Sequence, residues 1–170
     1  MQNINQEFID AARDNRTNEI RRFLNDGVDV DSKDTFGYTA LIWASQNGHL
    51  EVVKLLLEKG ADIESKDNSG YTALAHSANS GHLEIVKLLL NNHADINAMD
   101  HFGWTALMHA AFFGHMRAAE LLLENGANVN AKSNNGWTAL MFAAQNGHKA
   151  SVILLLFSLR LGEAYPQAFW

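Results

Sequence analysis

The 170-residue sequence contains no cysteine and a single proline, Pro166. Without cysteine the chain can form neither a disulfide framework nor a thiolate metal site, which suits a reducing compartment. Positive charge is also scarce: 13 Lys and Arg stand against 19 Asp and Glu, a formal net charge of −6. Because phosphate binding needs clustered Lys and Arg, the composition argues against nucleic acid and acidic membranes as partners.

Long hydrophobic runs are absent as well. The longest, "VILLLF" at 152–157, is far too short to span a bilayer. The N-terminal "MQNINQEFIDAARDNR" has neither the basic nor the apolar region of a secretory signal. With 47% hydrophobic and 19% charged residues, the chain has the composition of a folded globular domain. We therefore expect a cytoplasmic protein, with the nucleus as the alternative.

The dominant feature is a repeat. Similar segments begin at residues 34, 67, 100 and 133, a spacing of 33 each time. The same register, run backwards, gives a unit at 1–33 in which Ala11, Ala12, Phe23, Leu24 and Gly27 are in phase. A fixed period of this length indicates a stack of repeated supersecondary units.

The recurring residues are G-x-T-x-L, A-x-x-G-H, L-L-L and G-A-D-hydrophobic-N. This pattern resembles the ankyrin repeat over nearly the whole chain. The resemblance implies an all-α solenoid of stacked helix-turn-helix units with projecting β-turn or hairpin loops. One departure is systematic, because the family usually has proline where this chain has Ala40, Ala73, Ala106 and Ala139. Alanine is a strong helix former, so the first helix of each unit should still begin there.

Local chemistry predicts the limits of these helices. A threonine precedes each first helix, where its hydroxyl can cap free amides: Thr39, Thr72, Thr105 and Thr138. A glycine follows it, in the position that favours a left-handed residue: Gly48, Gly81, Gly114 and Gly147. A second helix follows, such as "LEVVKLLLEK" at 50–59, with Val53, Leu56 and Leu57 on its buried side. Gly60 and Gly126 stop such helices, whereas His93 replaces the glycine in the third unit and predicts a strained loop.

We expect one domain over residues 1–170, with units at 1–33, 34–66, 67–99, 100–132 and 133–165 and a tail at 166–170. The first unit has the polar outer face of an N-terminal cap, with Arg13, Asp14, Arg16, Glu19, Arg21 and Arg22. In the last unit, a C-terminal cap, Leu159 replaces the stop glycine, so the helix should run on toward Gly162. Two alternatives remain for its apolar residues Val152, Leu155, Leu156 and Leu159: cover by Tyr165, Phe169 and Trp170, or docking of another copy or domain.

Catalytic and metal-binding patterns are missing. His49, His82, His115 and His148 recur 33 residues apart, and we expect them to tie adjacent loops by hydrogen bonds. His76 and His109 occupy one position in neighbouring units, but we see no carboxylate at matching positions for a metal site. Ser45, Ser77 and Ser80 have no orienting acid nearby, and the single glycines form no phosphate-binding loop. The sequence predicts no enzyme, no metal and no cofactor.

Binding of a partner is the class of function that remains. Unit positions 10, 13 and 14 should share one face of each first helix, and the preceding turn adds aromatic side chains. We predict that this concave face binds a partner through Phe36, Tyr38, Trp43, Tyr71, His76, Phe102, Trp104, His109, Phe112, Phe113, Trp137 and Phe142. The adjacent Phe112 and Phe113 are expected to be surface, because consecutive helical residues point about 100° apart and cannot easily both be buried in one direction. An exposed aromatic patch usually marks an interface. For the turn aromatics, shielding of the neighbouring turn is an equal alternative.

Three functions fit this surface. The first is a non-catalytic module that binds another protein in an aromatic groove. The second is an inhibitor or immunity-type protein that blocks an enzyme's active site with the same face. The third is a structural fragment of a larger scaffold. We expect a monomer, with a dimer through the C-terminal helix and tail as the alternative.

Overall fold

The computed structural model describes residues 4–161, which fold into ten α-helices and no strand. The helices are α1 (Ile4–Arg13), α2 (Thr17–Asn25), α3 (Ala40–Asn47), α4 (Leu50–Glu58), α5 (Ala73–Ser80), α6 (Leu83–Asn91), α7 (Ala106–Phe113), α8 (Met116–Glu124), α9 (Ala139–Gln145) and α10 (Lys149–Leu161). Each odd-numbered helix packs against the even-numbered helix that follows it, and each pair stacks on the next. The predicted all-α stack of helix pairs is confirmed.

Each odd-numbered helix after α1 begins at a threonine cap. Thr39 Oγ1 accepts a hydrogen bond from the backbone N–H of Ile42 at 3.2 Å, and Thr72, Thr105 and Thr138 make the equivalent bonds. Each cap satisfies an amide that has no partner within the helix. The alanine after the threonine is the first helical residue in all four cases, so the absence of proline does not delay the helix.

Glycine and histidine together form the joint between the two helices of a unit. Gly48 has φ 81°, and a Cβ there would lie 2.8 Å from His82 Cε1 in the next unit. The His82 ring donates from Nε2 to the backbone carbonyl of Gln46 at 3.0 Å. His49, His115 and His148 donate in the same way to the carbonyls of Arg13, Asn79 and Phe112. These bonds confirm the predicted role of the four histidines in tying neighbouring units together.

The even-numbered helices end in two ways. His93 has φ 65°, so it adopts the left-handed conformation that glycine takes at the equivalent Gly60 and Gly126. The strained loop predicted there is confirmed. In the last unit Leu159 lies within α10, which continues to Leu161, as expected. The predicted cover by Tyr165, Phe169 and Trp170 lies outside the described residues.

The core runs the length of the stack. Alanines lie between successive odd-numbered helices, and several branched side chains of the even-numbered helices, among them Val53 and Leu56, are fully buried. Leu57, which the sequence also places on the buried side, is half-buried. At the N-terminal end, Arg13 and Arg16 are exposed and pair with Asp10, Asp14 and Glu19. This end therefore has the polar surface expected of a cap.

Candidate functional site

The turn before each odd-numbered helix is organised by its first residue. Asp67 Oδ1 accepts hydrogen bonds from the backbone N–H groups of Ser69 and Tyr71, at 2.8 and 3.0 Å. Asp34 and Asp100 make the same pair of bonds in their own turns. Neighbouring turns are joined as well, since the N–H of Asn68 donates to the carbonyl of Phe36 at 3.0 Å. In these three turns one carboxylate oxygen thus fixes the backbone that carries the aromatic side chains.

The second oxygen of the same carboxylate binds the helix. His76 Nε2 donates to Asp67 Oδ2 at 2.8 Å, and His109 Nε2 donates to Asp100 Oδ2 at 3.0 Å. Trp43 occupies the same unit position, and its Nε1–H donates to Asp34 Oδ2 at 2.9 Å. The sequence argument that no carboxylate matches His76 and His109 is therefore wrong. The partner lies nine residues earlier, at the start of the turn, and not on the helix itself.

The fifth unit departs from this arrangement at both positions. Ser133 stands where the other turns have aspartate, and its Oγ accepts a bond from the backbone N–H of Trp137 at 3.1 Å. Phe142 stands where the others have Trp or His, and its ring has no N–H to donate. The loss of the carboxylate and the loss of the donor occur together, so neither partner is left unpaired.

Eight rings form a continuous row across the turns and the odd-numbered helices, which we call the ring ladder. In spatial order its members are Trp43, Tyr38, His76, Tyr71, His109, Trp104, Phe142 and Trp137. Successive ring centroids are 4.5, 5.0, 5.0, 4.6, 5.1, 4.1 and 5.3 Å apart. Each turn aromatic from Tyr38 to Trp104 lies between the helix ring of its own unit and that of the next. Six of these distances are typical of favourable aromatic pairs, and the Trp104–Phe142 distance of 4.1 Å is shorter.

The buried carboxylates set the electrostatics of the ladder. Burial of Asp67 opposes its ionisation, but the hydrogen bonds from His76 and from two backbone N–H groups outweigh it, so the pKa of Asp67 is lowered. Burial, reinforced by the negative charges of Asp67 and Asp34, raises the pKa of Tyr38 to about 12. Burial and the carboxylates of Asp100 and Asp67 likewise raise the pKa of Tyr71. The carboxylates therefore add to the effect of burial in disfavouring a negative charge on the hydroxyls of Tyr38 and Tyr71.

Three of the predicted partner-binding residues are not on the surface. His76, His109 and Phe142 are 5%, 0% and 6% exposed, because the turn aromatics on either side cover their rings. The expectation that these side chains line an open groove is wrong. Their role is to hold the turns: the two histidines bind carboxylates, and Phe142 supports Trp104 and Trp137.

The other nine predicted residues reach the surface to different extents. Phe36, Phe102 and Phe113 are exposed, at 65%, 60% and 47%. Half-buried are Tyr38, Trp43, Tyr71, Trp104, Phe112 and Trp137, and all of these except Tyr71 are among the residues that pack against the core. The turn aromatics therefore shield their neighbours and present a ring edge or face to solvent at the same time. We call these nine side chains the aromatic surface.

The adjacent phenylalanines of α7 differ from each other. Phe112 is half-buried, with its ring 5.3 Å from that of Trp104 and 6.0 Å from that of Phe142. Phe113 is exposed and meets the Phe112 ring edge-on at 4.9 Å. Consecutive helical residues point about 100° apart, so only Phe113 projects fully. The expectation that both are surface holds for Phe113 and only in part for Phe112.

Two adjoining depressions lie on the aromatic surface near the fourth and fifth units. The larger, of about 430 Å³, is lined by Tyr71, Phe102, Trp104, Asn134 and Asn135. The smaller, of about 110 Å³, is lined by Trp104, Ser133, Asn135, Trp137, Phe142 and Gln145. The sequence reasoning missed Asn134 and Asn135 as candidate site residues. A sequence signal was available for Asn135, because it stands at the unit position that Phe36 and Phe102 occupy in their own turns.

Charge is segregated between the two layers of helices. The sequences of α3, α5, α7 and α9 contain no Asp, Glu, Lys or Arg, whereas α4, α6 and α8 carry both signs. Residues 4–161 bring together no group of three His, Asp or Glu side chains that could hold a metal ion. No helix in the same range combines the length and hydropathy that a bilayer crossing requires.

Comparison with known protein families gives one matching family, which covers most of the helix stack. A family model described as "Ankyrin repeats (3 copies)" matches residues 8–100 and again residues 92–163. A comparison with curated proteins gives no match.

Proposed function

Because the chain belongs to the ankyrin-repeat family, we propose that it is a non-catalytic module that binds a partner protein through the aromatic surface. Members of this family are generally protein-protein interaction modules and are typically not enzymes. Fold alone does not identify a function, so the proposal depends on what this chain adds to the repeat. Its own contribution is the set of side chains that the folding of each unit does not require.

The observation that carries the proposal is the exposure of Phe36, Phe102 and Phe113 on one charge-poor face. Each ring is large enough to be an interface hot spot, and none is needed to fill the core. The half-buried rings beside them are held in place by the ladder contacts. A partner therefore meets aromatic groups that are already ordered, which reduces the entropy lost on binding.

The segregation of charge indicates which face a partner approaches. Interface centres are depleted in Lys, Glu and Asp and enriched in aromatic residues. The helices α3, α5, α7 and α9 match that composition, whereas α4, α6 and α8 carry the charges that keep a surface hydrated. We accordingly propose the odd-numbered face as the interface, with the units at 34–66, 67–99, 100–132 and 133–165 contributing in turn and 1–33 as the cap.

Alanine substitution at the exposed rings tests the proposal. A partner is captured from the native organism with the wild-type chain and its affinity is then measured for Phe102→Ala and Phe113→Ala. We expect each variant to bind at least roughly tenfold more weakly, as interface hot spots do. Both side chains are exposed, so thermal unfolding should remain close to wild type.

The matched control is Phe157→Ala, which removes an exposed phenyl ring from α10. We expect it to leave the affinity unchanged. Unchanged affinity in both Phe102→Ala and Phe113→Ala would refute the proposed interface. If the captured partner is an enzyme, loss of its activity on mixing would identify the chain as an inhibitor that uses this surface.

Self-association is the remaining alternative for the partner. Ile153, Leu156 and Phe157 of α10 are 69%, 51% and 54% exposed, and Ile153 and Phe157 occupy positions that are charged or polar in the three preceding units. The aromatic surface and α10 belong to different layers of the stack, so binding at the aromatic surface does not require self-association through α10, and we propose a monomer.

A further inference from the structure

The last helix differs from the other repeat helices on its outward side. Each of α4, α6 and α8 places three residues there at helical spacing, and all nine are exposed or half-buried. Eight are charged and one is an asparagine: Glu51, Lys54 and Glu58; Glu84, Lys87 and Asn91; Arg117, Glu120 and Glu124. The corresponding residues of α10 are Ala150, Ile153 and Phe157, which are exposed as well. The outward side of α10 is therefore apolar where three other helices are charged.

The position of α10 at the end of the stack does not explain this change. Met141 is exposed because residues 4–161 contain no sixth unit to cover it, whereas the equivalent Met108 is buried between stacked helices. The outward positions are different, since they stay accessible to solvent in α4, α6 and α8, which have neighbours on both sides. A missing neighbour thus gives no reason for Ile153 and Phe157 to be apolar. A helix that is apolar around most of its circumference is typically a buried one.

The exposed apolar surface of α10 extends beyond these two side chains. Leu156 and Leu159 are exposed as well. We call Ile153, Leu156, Phe157 and Leu159 the α10 patch. Together they present several hundred Å² of apolar surface, the size of patch that usually marks a contact site. The only charged residues of α9 and α10 are Lys149 and Arg160, near the two ends of α10, so these two helices place only positive charge beside the patch.

The sequence continues beyond the described residues with a segment that matches this patch in composition. Residues 162–170 read GEAYPQAFW. Three of the nine are aromatic, namely Tyr165, Phe169 and Trp170, and the single charged residue is Glu163. Burial of aromatic rings against aliphatic side chains is favourable, and an acidic residue is opposite in sign to the two charges of α10. The segment therefore has the apolar groups and the charge that the α10 patch requires.

The same segment is long enough to reach the whole patch. Its nine residues span at most about 30 Å when extended, whereas the 13 residues of α10 rise about 20 Å. Gly162 stands directly after α10, where glycine permits a sharp change of direction, and Pro166 disfavours continuation of a helix. A return along α10 brings residue 168 level with Ala150, because both lie roughly 16 Å from the turn.

Attachment to α10 favours this segment over any separate molecule. A segment joined by a short linker has an effective concentration in the millimolar range. A second copy or a partner protein at micromolar concentration is at a disadvantage of about three orders of magnitude. Either could displace the segment only through much stronger contacts with the same patch.

We infer that residues 162–170 pack along the outward side of α10, with their aromatic side chains covering the α10 patch, and so close the C-terminal end of the stack. The first unit is closed by polar residues, and the last by a segment of its own chain. The inference does not rest on the proposed function, because α10 contributes none of the nine side chains of the aromatic surface. It accounts for a monomer whose last helix is apolar.

Disulfide cross-linking tests the inference in the full chain, which has no cysteine of its own. Ala150→Cys and Ala168→Cys are introduced together, so that no aromatic or branched side chain is lost. Mild oxidation should join them within one molecule, at a rate that does not depend on protein concentration. The matched control pairs Ala168→Cys with Ala144→Cys, an exposed residue on the stacking side of α9, where its equivalents Ala78 and Ala111 are buried. Cross-linking in the control should be roughly tenfold slower.

Removal of the aromatic side chains should uncover the patch. Phe169→Ser combined with Trp170→Ser should raise the binding of a hydrophobic dye several-fold, whereas Phe113→Ser, which removes an exposed ring from α7, should not raise it. Ile153→Lys with Phe157→Glu gives α10 the residues of α4 at these positions, and it should cancel the increase when added to the double variant. Circular dichroism and thermal unfolding verify that each variant keeps the fold.

The outcomes distinguish the segment from other occupants. A disulfide-linked dimer whose share grows with protein concentration shows that a second copy covers the patch, and it overturns the inference. Equal rates for the two cysteine pairs, or unchanged dye binding after loss of Phe169 and Trp170, overturn it as well. None of these results alters the expected affinities of Phe102→Ala and Phe113→Ala for a captured partner, so the proposed function is tested separately.

Discussion

The third and fifth units have the same repeat architecture but differ in how the turn is joined to the first helix and in how the second helix ends. The third unit joins its turn to its helix through Asp67 and His76, whereas the fifth has Ser133 and Phe142. Where most units stop the second helix with glycine, the third has His93 and the fifth has Leu159. In the third unit, a buried ionic hydrogen bond and a left-handed residue keep the repeat geometry. In the fifth, apolar packing and a longer helix replace them.

The comparison shows that the residue type allowed at a position depends on the residue that it contacts. A carboxylate is required at the start of a turn only when the helix offers an N–H to it. Histidine can replace glycine at a left-handed position because it is among the residues that tolerate positive φ, whereas a bulky leucine does not. The helix consequently ends at Asn91 in the third unit and continues through Leu161 in the fifth.

The largest expected effect is removal of the carboxylate in the third unit. Asp67→Ala leaves the His76 N–H and two turn N–H groups without an acceptor, and we expect the free energy of unfolding to fall by about 3 kcal/mol. Ser133→Ala removes a single hydrogen bond in the fifth unit and should cost about 1 kcal/mol. Urea denaturation of the two variants measures both values.

A double variant completes that test. Asp67→Ser combined with His76→Phe gives the third unit the residues of the fifth. Its loss of unfolding free energy should be smaller than the sum of the losses in the single variants Asp67→Ser and His76→Phe. Each change removes the group that the other change leaves without a hydrogen-bond partner. Equal losses for Asp67→Ala and Ser133→Ala, or strict additivity in the double variant, would contradict the pairing.

A second prediction concerns pH. The pKa of Asp67 is lower in the folded chain than its ordinary value, so its ionised form stabilises the fold. That contribution is complete above the ordinary aspartate pKa of about 3.9 and is lost as the pH falls through the folded value. We expect the unfolding free energy of Asp67→Asn to fall less steeply at acid pH than that of the wild type. Ser133→Ala should leave this pH dependence unchanged. If the unfolding free energy of Asp67→Asn falls with pH as steeply as that of the wild type, other carboxylates dominate the pH dependence.

The smallest expected effect is a gain in stability. His93 has φ 65°, a conformation that glycine adopts at lower cost. His93→Gly should therefore raise the free energy of unfolding by roughly 0.5 to 1 kcal/mol, after subtracting the extra entropy of glycine in the unfolded chain. Thermal denaturation gives the shift. Gly60→His is the reverse change in the second unit and should lower stability, whereas a loss of stability in His93→Gly would indicate that the imidazole makes a favourable contact.

Much of the fold could be predicted from the sequence because its signals are local. The threonine caps, the glycine joints and the helix faces depend on residues within a few positions of each other, and the 33-residue period repeats each signal. The Asp67–His76 pair could not be found in this way, since it connects a turn to a helix face nine residues later. Its only sequence signal is the joint replacement of Asp and His by Ser133 and Phe142.

Burial of the candidate site was harder to predict for a related reason. Unit position 10 looks exposed on a single helix, but the turn aromatics of two units close over it, which depends on the distance between units. His109 and Phe113 illustrate the limit: both are on α7, yet one is fully buried and the other is half exposed. Only the stacking of the fourth unit on its neighbours distinguishes them.

The histidine bonds between units have a consequence for folding kinetics. They span 36 residues in every case, and the bonds between neighbouring loops and turns span 31 to 33. Each contact therefore becomes available once a single additional unit is ordered. A chain of this kind can nucleate at any neighbouring pair and grow in both directions, one unit at a time, with a low cost of loop closure at each step.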